Sequence, residues 1–250
     1  MTMSGSHNRL LDADLWSGTL ITLHQADDAA VVTWRGEEIK LALALTDPFI
    51  RVMDETTFVL VDFTRDNLRP NAWVVRADGS IETSFHAGTF IASIVVDESG
   101  IWVGYGDEGI FGEGISTEAL VCFSRSGYVL FRYNHDTRKA PIIVDCELMI
   151  TTASGVWLCP SIWYALIHLH RDGRLVTYRT PKMLHDSEAM TIEGETAYFV
   201  KEGVLYRWAF GLREKAVECG QLSGKLRGAH DNEGAGFLQI EGTDVTFVCV

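Results

Sequence analysis

A unit of four short apolar segments recurs along this chain, and that recurrence limits the possible folds more than any other property of the sequence. Its clearest copies read FIASIVVDESGIWVGYG followed by ALVCFSRSGYVLFRYN, and LMITTASGVWLCP followed by ALIHLHRDGRLVTYRT. The segments are rich in β-branched and aromatic residues, and helix-period patterns are nearly absent. A four-stranded antiparallel sheet cannot cover both of its own faces, so copies must stack on one another around a ring. Glycines marking the turn between third and fourth strands fall at Gly36, Gly79, Gly127, Gly173 and Gly211. They are roughly 40 to 50 residues apart, the spacing of propeller blades.

The turn between first and second strands falls at Asp54 to Thr56, Gly100, Gly155, Gly194 and Gly242. Read this way, the chain begins in mid-unit. AVVTW and EIKLALAL are outer strands with no inner pair before them, and GFLQI and DVTFVCV are an inner pair with no outer strands after them. The sequence therefore predicts an all-β, five-bladed β-propeller of four-stranded antiparallel blades, with one blade closed by pairing N- and C-terminal strands so that no long edge stays open. Six blades are the alternative, because GTLITLH within residues 1–28 reads as a further strand of the closing blade or as part of a sixth. Residues 1–250 form a single domain, of which residues 1–28 are an N-terminal extension of uncertain structure.

The chain carries a net charge of −13, which repels phosphate backbones and anionic lipid and argues against nucleic-acid and membrane partners. The N-terminus lacks a basic stretch followed by an apolar core, and no apolar run approaches the ~20 residues of a membrane span. Cys122, Cys146, Cys159, Cys219 and Cys249 are odd in number, lie in apolar runs and form no CxxC pair. Buried, reduced thiols and a cytoplasmic location are expected.

Two sets of residues are candidates for function. Blade-to-blade connections repeat a His-Asp pair, at His135-Asp136, His185-Asp186 and His230-Asp231, with His86 in a fourth connection and Asp47 in the fifth. If propeller symmetry gathers His86, His185, Asp186, His230 and Asp231 at the channel mouth, imidazole and carboxylate would suit a divalent metal ion able to activate water. Such pairs also serve as ordinary turn residues, and that reading is preferred. The second candidate is the glycine-rich interruption WVGYGDEGIFGEGISTEA, which presents Asp107, Glu108, Phe111 and Glu113 on a long loop, where binding surfaces tend to lie. No G-x-S-x-G or H-E-x-x-H motif is present.

The segments IWVGYGDEGIFGEG, ALVCFSRSG, IIVDCELMI and VWLCPSIWYALIHL resemble a group of uncharacterised bacterial β-propeller-like proteins with a W-V-x-Y-x-D-E-G-x-F-G loop. Departures from that pattern fall at Gly106, Glu113 and Glu147 to Ile150. The resemblance covers roughly residues 70–210 and implies a propeller fold without implying an activity.

The sequence thus predicts a non-enzymatic propeller that binds a protein partner, such as a basic protein which it inhibits or to which it confers immunity, and that needs no cofactor. The alternative is a metal-dependent lyase or hydrolase built on the His-Asp ring.

Overall fold

In the computed structural model, which describes residues 9–26, 29–66, 68–137, 140–161, 164–212, 214–232 and 234–250, six antiparallel sheets follow one another in chain order. Blade 1 comprises β1 (Arg9–Trp16), β2 (Thr19–Ala26), β3 (Ala29–Trp34) and β4 (Glu37–Leu41). Blade 2 comprises β5 (Pro48–Asp54), β6 (Thr57–Asp62), β7 (Ala72–Arg76) and β8 (Ile81–Phe85). Blade 3 comprises β9 (Ile91–Asp97), β10 (Gly100–Tyr105), β11 (Leu120–Phe123) and β12 (Val129–Arg132). Blade 4 comprises β13 (Met149–Thr152), β14 (Gly155–Leu158), β15 (Ala165–His170) and β16 (Leu175–Arg179). Blade 5 comprises β17 (Ala189–Glu193), β18 (Thr196–Lys201), β19 (Val204–Ala209) and β20 (Val217–Gln221). Blade 6 has three strands, β21 (Lys225–Asp231), β22 (Gly234–Glu241) and β23 (Asp244–Cys249). The innermost strands β1, β5, β9, β13, β17 and β21 touch their neighbours in that order, and β21 returns to β1.

The repeat seen in the sequence is physical. The five marker glycines Gly36, Gly79, Gly127, Gly173 and Gly211 share φ between 78° and 84°, the left-handed region that a tight hairpin imposes and that glycine adopts without a steric penalty. Trp102 Nε1 donates to Asp97 Oδ1 at 3.0 Å, and at the matching place in the next blade Trp157 Nε1 donates to Thr152 Oγ1 at 3.2 Å. Each indole is buried and packs in a cluster shared with an adjacent blade.

The ring has six blades, the alternative count rather than the expected five, and its closure also differs from the expected one: the two termini do not share a sheet. Two strands escape a reading based on apolar alternation. RLLDADLW is β1, the inner strand before AVVTW, and KLRGAHD is β21, the inner strand before GFLQI. Gly242 therefore lies between the second and third strands of its blade, one turn later than its assigned place. GTLITLH supplies β2, while residues 1–8 of the proposed N-terminal extension lie outside the described residues.

The missed strands also account for the nature of the closure. Clusters of buried apolar side chains fill the spaces between blades 1 and 2, 2 and 3, 3 and 4, 4 and 5, and 5 and 6. None of these five spans the seam between blades 6 and 1. There, Arg227 Nη2 donates to Ala13 O at 2.8 Å and to Asp14 Oδ1 at 2.7 Å, and Gly18 N donates to Asp231 Oδ1 at 2.5 Å. The polar residues that disguise β1 and β21 as loops are complementary to each other across 213 positions of sequence.

Candidate functional site: the central channel and its upper face

The upper face is the one at which the chain arrives at each inner strand, and the lower face carries the turns leaving those strands. The channel between them is crossed by a buried belt of charge. Arg51 on β5 places Nη1 2.6 Å from Asp12 Oδ2 on β1, and it also donates to Ile50 O and, through Nε, to Ile94 O on β9. Asp12 and Asp14 accept the main-chain N–H groups of Ile50 and Val52 at 2.9 and 2.8 Å, so two carboxylates join the inner strands of blades 1 and 2. Burial alone would raise the pKa of Asp12. The charges of Arg51 and then Arg227, with the Ile50 N–H, more than reverse this and hold it below the ordinary aspartate value. Sequence reasoning missed Asp12, Asp14, Arg51 and Arg227 because each sits on a strand far in sequence from its partner. Charged residues at buried-strand positions are the signal that marks them.

Above the belt lies a cavity of about 160 Å³ lined by Asp12, Arg51, Glu147, Glu188, Lys225 and Arg227. Glu147 and Glu188 also line a neighbouring upper-face cavity of about 260 Å³, together with Asp145, Ser161, Tyr164 and His185. Burial, followed by the negative charges of Asp145 and Asp107, pushes Glu147 above the usual glutamate value.

Asp107 and Glu108 open the short helix α1 (Asp107–Ile110) in the glycine-rich loop, which stands on the upper face. The base of that loop is fixed: Thr89 N donates to Ser116 Oγ at 2.8 Å, Ser116 Oγ donates to Thr89 O at 2.9 Å, and Ile110 packs on the apolar clusters. Its tip is open, with Phe111 74% exposed and Glu113 exposed beside it.

Among the described residues, the surface ion pairs fall on one face. The surface ion pairs Arg76–Glu82, Arg125–Asp54, Arg171–Glu98 and Arg174–Asp172 all lie toward the lower face. On the upper face, Asp107, Glu108, Glu113, Asp145 and Glu147 form no salt bridge with any described residue.

The His-Asp residues are not gathered into one ring. His185 and Asp186 lie on the upper face just before β17, whereas His230 and Asp231 end β21 and lie at the lower mouth of the channel. The similarity of HDSEA and HDNEGA thus joins an inter-blade connection to a turn within a blade. The other pairings are those of loop residues. His86 Nδ1 accepts Gly88 N at 2.8 Å, and its Nε2 donates to Asp66 O at 3.1 Å. The His185 ring lies flat on Tyr164, 3.5 Å between centroids, Asp136 accepts Arg132 N, and Asp231 holds the seam. Among the described residues, no group of three or more His, Cys, Asp or Glu side chains is arranged to hold a metal ion.

A closed ring of six small antiparallel sheets around a channel defines the molecule as a six-bladed β-propeller. Comparison with solved structures agrees. A catalytically inactive virginiamycin B lyase from Staphylococcus aureus, crystallised with quinupristin, superposes with a TM-score of 0.58 at 9% identity over 99% of this chain and 86% of that one. Hsv2 of Kluyveromyces lactis gives 0.56 at 10% identity over 94% and 76%. PorZ, an essential bacterial surface component of the type-IX secretion system of Porphyromonas gingivalis, gives 0.60 at 10% identity over 97% of this chain and 33% of that one. At such identities the likeness establishes the fold alone. No family model matches the chain, and no curated protein matches its sequence. No helix among the described residues is long and apolar enough to cross a membrane.

Proposed function

We propose that the chain is a non-enzymatic binding module whose upper face recognises a basic protein, in the manner of an inhibitor or immunity-type partner. The observation that carries this reading is where the surface ion pairs fall: four lower-face carboxylates, Asp54, Glu82, Glu98 and Asp172, are paired with arginines, while Asp107, Glu108, Glu113, Asp145 and Glu147 of the upper face form no salt bridge with a described residue. Burial and then the charges of Asp145 and Asp107 disfavour ionised Glu147 in the unbound protein, and a cationic surface would relieve the charge repulsion. Phe111 gives the acidic rim an exposed aromatic anchor on a loop whose base is rigid. Asp107, Glu108, Phe111 and Glu113 are the contact residues of this proposal, which calls for no metal ion or cofactor.

The test is binding of the candidate partner by calorimetry, using an Asp107→Lys, Glu108→Lys, Glu113→Lys variant and a Phe111→Ala variant. Both are expected to fold normally and to bind more weakly, with a wild-type affinity that falls steeply with salt. Unchanged affinity in both variants would rule out this face.

A further inference from the structure

Below the belt, the channel opens into a cavity of about 210 Å³ whose charged lining consists of Asp14, Arg51 and Arg227. Arg51 and Arg227 are paired with Asp12 and Asp14 respectively, so the four charges balance, and what distinguishes the cavity is the guanidinium N–H groups left over. Both oxygens of Asp14 are engaged, since Oδ1 accepts Arg227 Nη2 and Oδ2 accepts Val52 N. The guanidinium donors are not all engaged. Arg51, only 4% exposed, uses Nε and Nη1 on Ile94 O, Ile50 O and Asp12, leaving Nη2 without an acceptor among the described residues. Arg227 uses Nη2 alone, leaving Nε and Nη1. Burial, followed by the charge of Arg227, weakens the hold of Arg51 on its proton, so the two cations are near enough to repel.

We propose that this cavity binds a small monocarboxylate, whose head is taken by Arg51 and Arg227 and whose short apolar tail lies against Leu15, Trp16 and Val96. The planar fork of a guanidinium matches a carboxylate in two-point geometry, and an anion placed between the two would satisfy the remaining donors. The half-buried side chains of Leu15, Trp16 and Val96 give the tail its surface in a lining that is otherwise mainly polar. The volume is below the ~300 to 1,000 Å³ of pockets for drug-sized ligands, which limits the ligand to a few carbons. The site lies on the lower face and does not depend on the protein partner proposed for the upper one.

The experiment titrates the full chain with butyrate, acetate, inorganic phosphate and chloride at matched ionic strength, reading Tm and heats of binding. Butyrate is expected to raise Tm saturably, more than acetate does, while chloride has no saturable effect. Arg227→Gln should weaken butyrate at least about tenfold, through loss of a charged hydrogen-bond donor. Arg227→Lys keeps the charge without the fork and should also bind more weakly. If Arg227→Gln does not fold, Val96→Phe, which fills the side of the cavity assigned to the tail, decides and should abolish butyrate binding. A butyrate response no greater than that of chloride, or one undiminished in the folded variants, would overturn the site. Stabilisation by phosphate alone would overturn its assignment to a carboxylate.

Discussion

Arg51 Nη1 lies 2.6 Å from Asp12 Oδ2, with both side chains buried at the axis of the ring, and this contact joins the inner strand of blade 2 to that of blade 1. A buried ion pair gains little over a well-packed apolar pair, but loss of one partner leaves a charge stranded in the interior. Arg51→Met should therefore cost about 3 to 5 kcal/mol in urea unfolding. The double variant Asp12→Asn, Arg51→Met should recover part of that loss. A single variant as stable as wild type would show that the belt does not hold the axis together.

Acid should act through the same carboxylate. Because the pKa of Asp12 is depressed on folding, its contribution to stability is complete above the unfolded value of about 3.9 and is lost as pH falls through the lower folded value. The stability of Asp12→Asn should therefore fall less steeply than that of wild type below about pH 4, as read by denaturant titration at stepped pH. Parallel curves would contradict the assignment.

Gly228 on β21 has no room for a side chain, since a Cβ there would come within 1.8 Å of Met190 O on β17. Gly228→Ala must push two inner strands apart and should destabilise by about 1 to 3 kcal/mol. Gly173→Ala, in an open hairpin turn, meets no atom within 4 Å, so its cost comes from φ of +82° alone. Scanning calorimetry of the two variants separates crowding from backbone strain.

The cysteines divide into two groups, which revises the expectation that all five are buried. Cys122 and Cys146 are buried, Cys159 is half-buried, and Cys219 and Cys249 are exposed at the outer strands of the last two blades. Burial pushes the Cys122 and Cys159 thiols up to about 12, and Cys146 rises for the same reason. Native protein should react rapidly at Cys219 and Cys249 and slowly at the other three, as followed by mass spectrometry of labelled peptides. Rapid labelling of Cys146 would show that the upper face opens.

How much was legible in the sequence follows from which residues carry each feature. The hairpin glycines and the two equivalent tryptophans repeat locally, so blade spacing could be read directly. The inner strands at the seam could not, because Asp12 and Asp14 match Arg227 only after six blades have turned the chain through a full circle. The same property hid the channel belt, whose members each look like a misplaced charge in a strand. The glycine-rich loop was legible as a loop, and the structure adds the division of labour between Ile110, which packs, and Phe111, which projects. The His-Asp turns misled because similar short strings occurred at two topologically different turns.

The most direct test of the central claim is comparative capture from the cells that make the protein, using wild type, an upper-face variant (Asp107→Lys, Glu108→Lys, Glu113→Lys) and a lower-face variant (Asp172→Lys, Glu98→Lys). Wild type and the lower-face variant should retain the same basic protein, which the upper-face variant should lose and which should then bind purified wild type with strong salt dependence. Retention by all three, or a captured partner that is not basic, would contradict the account.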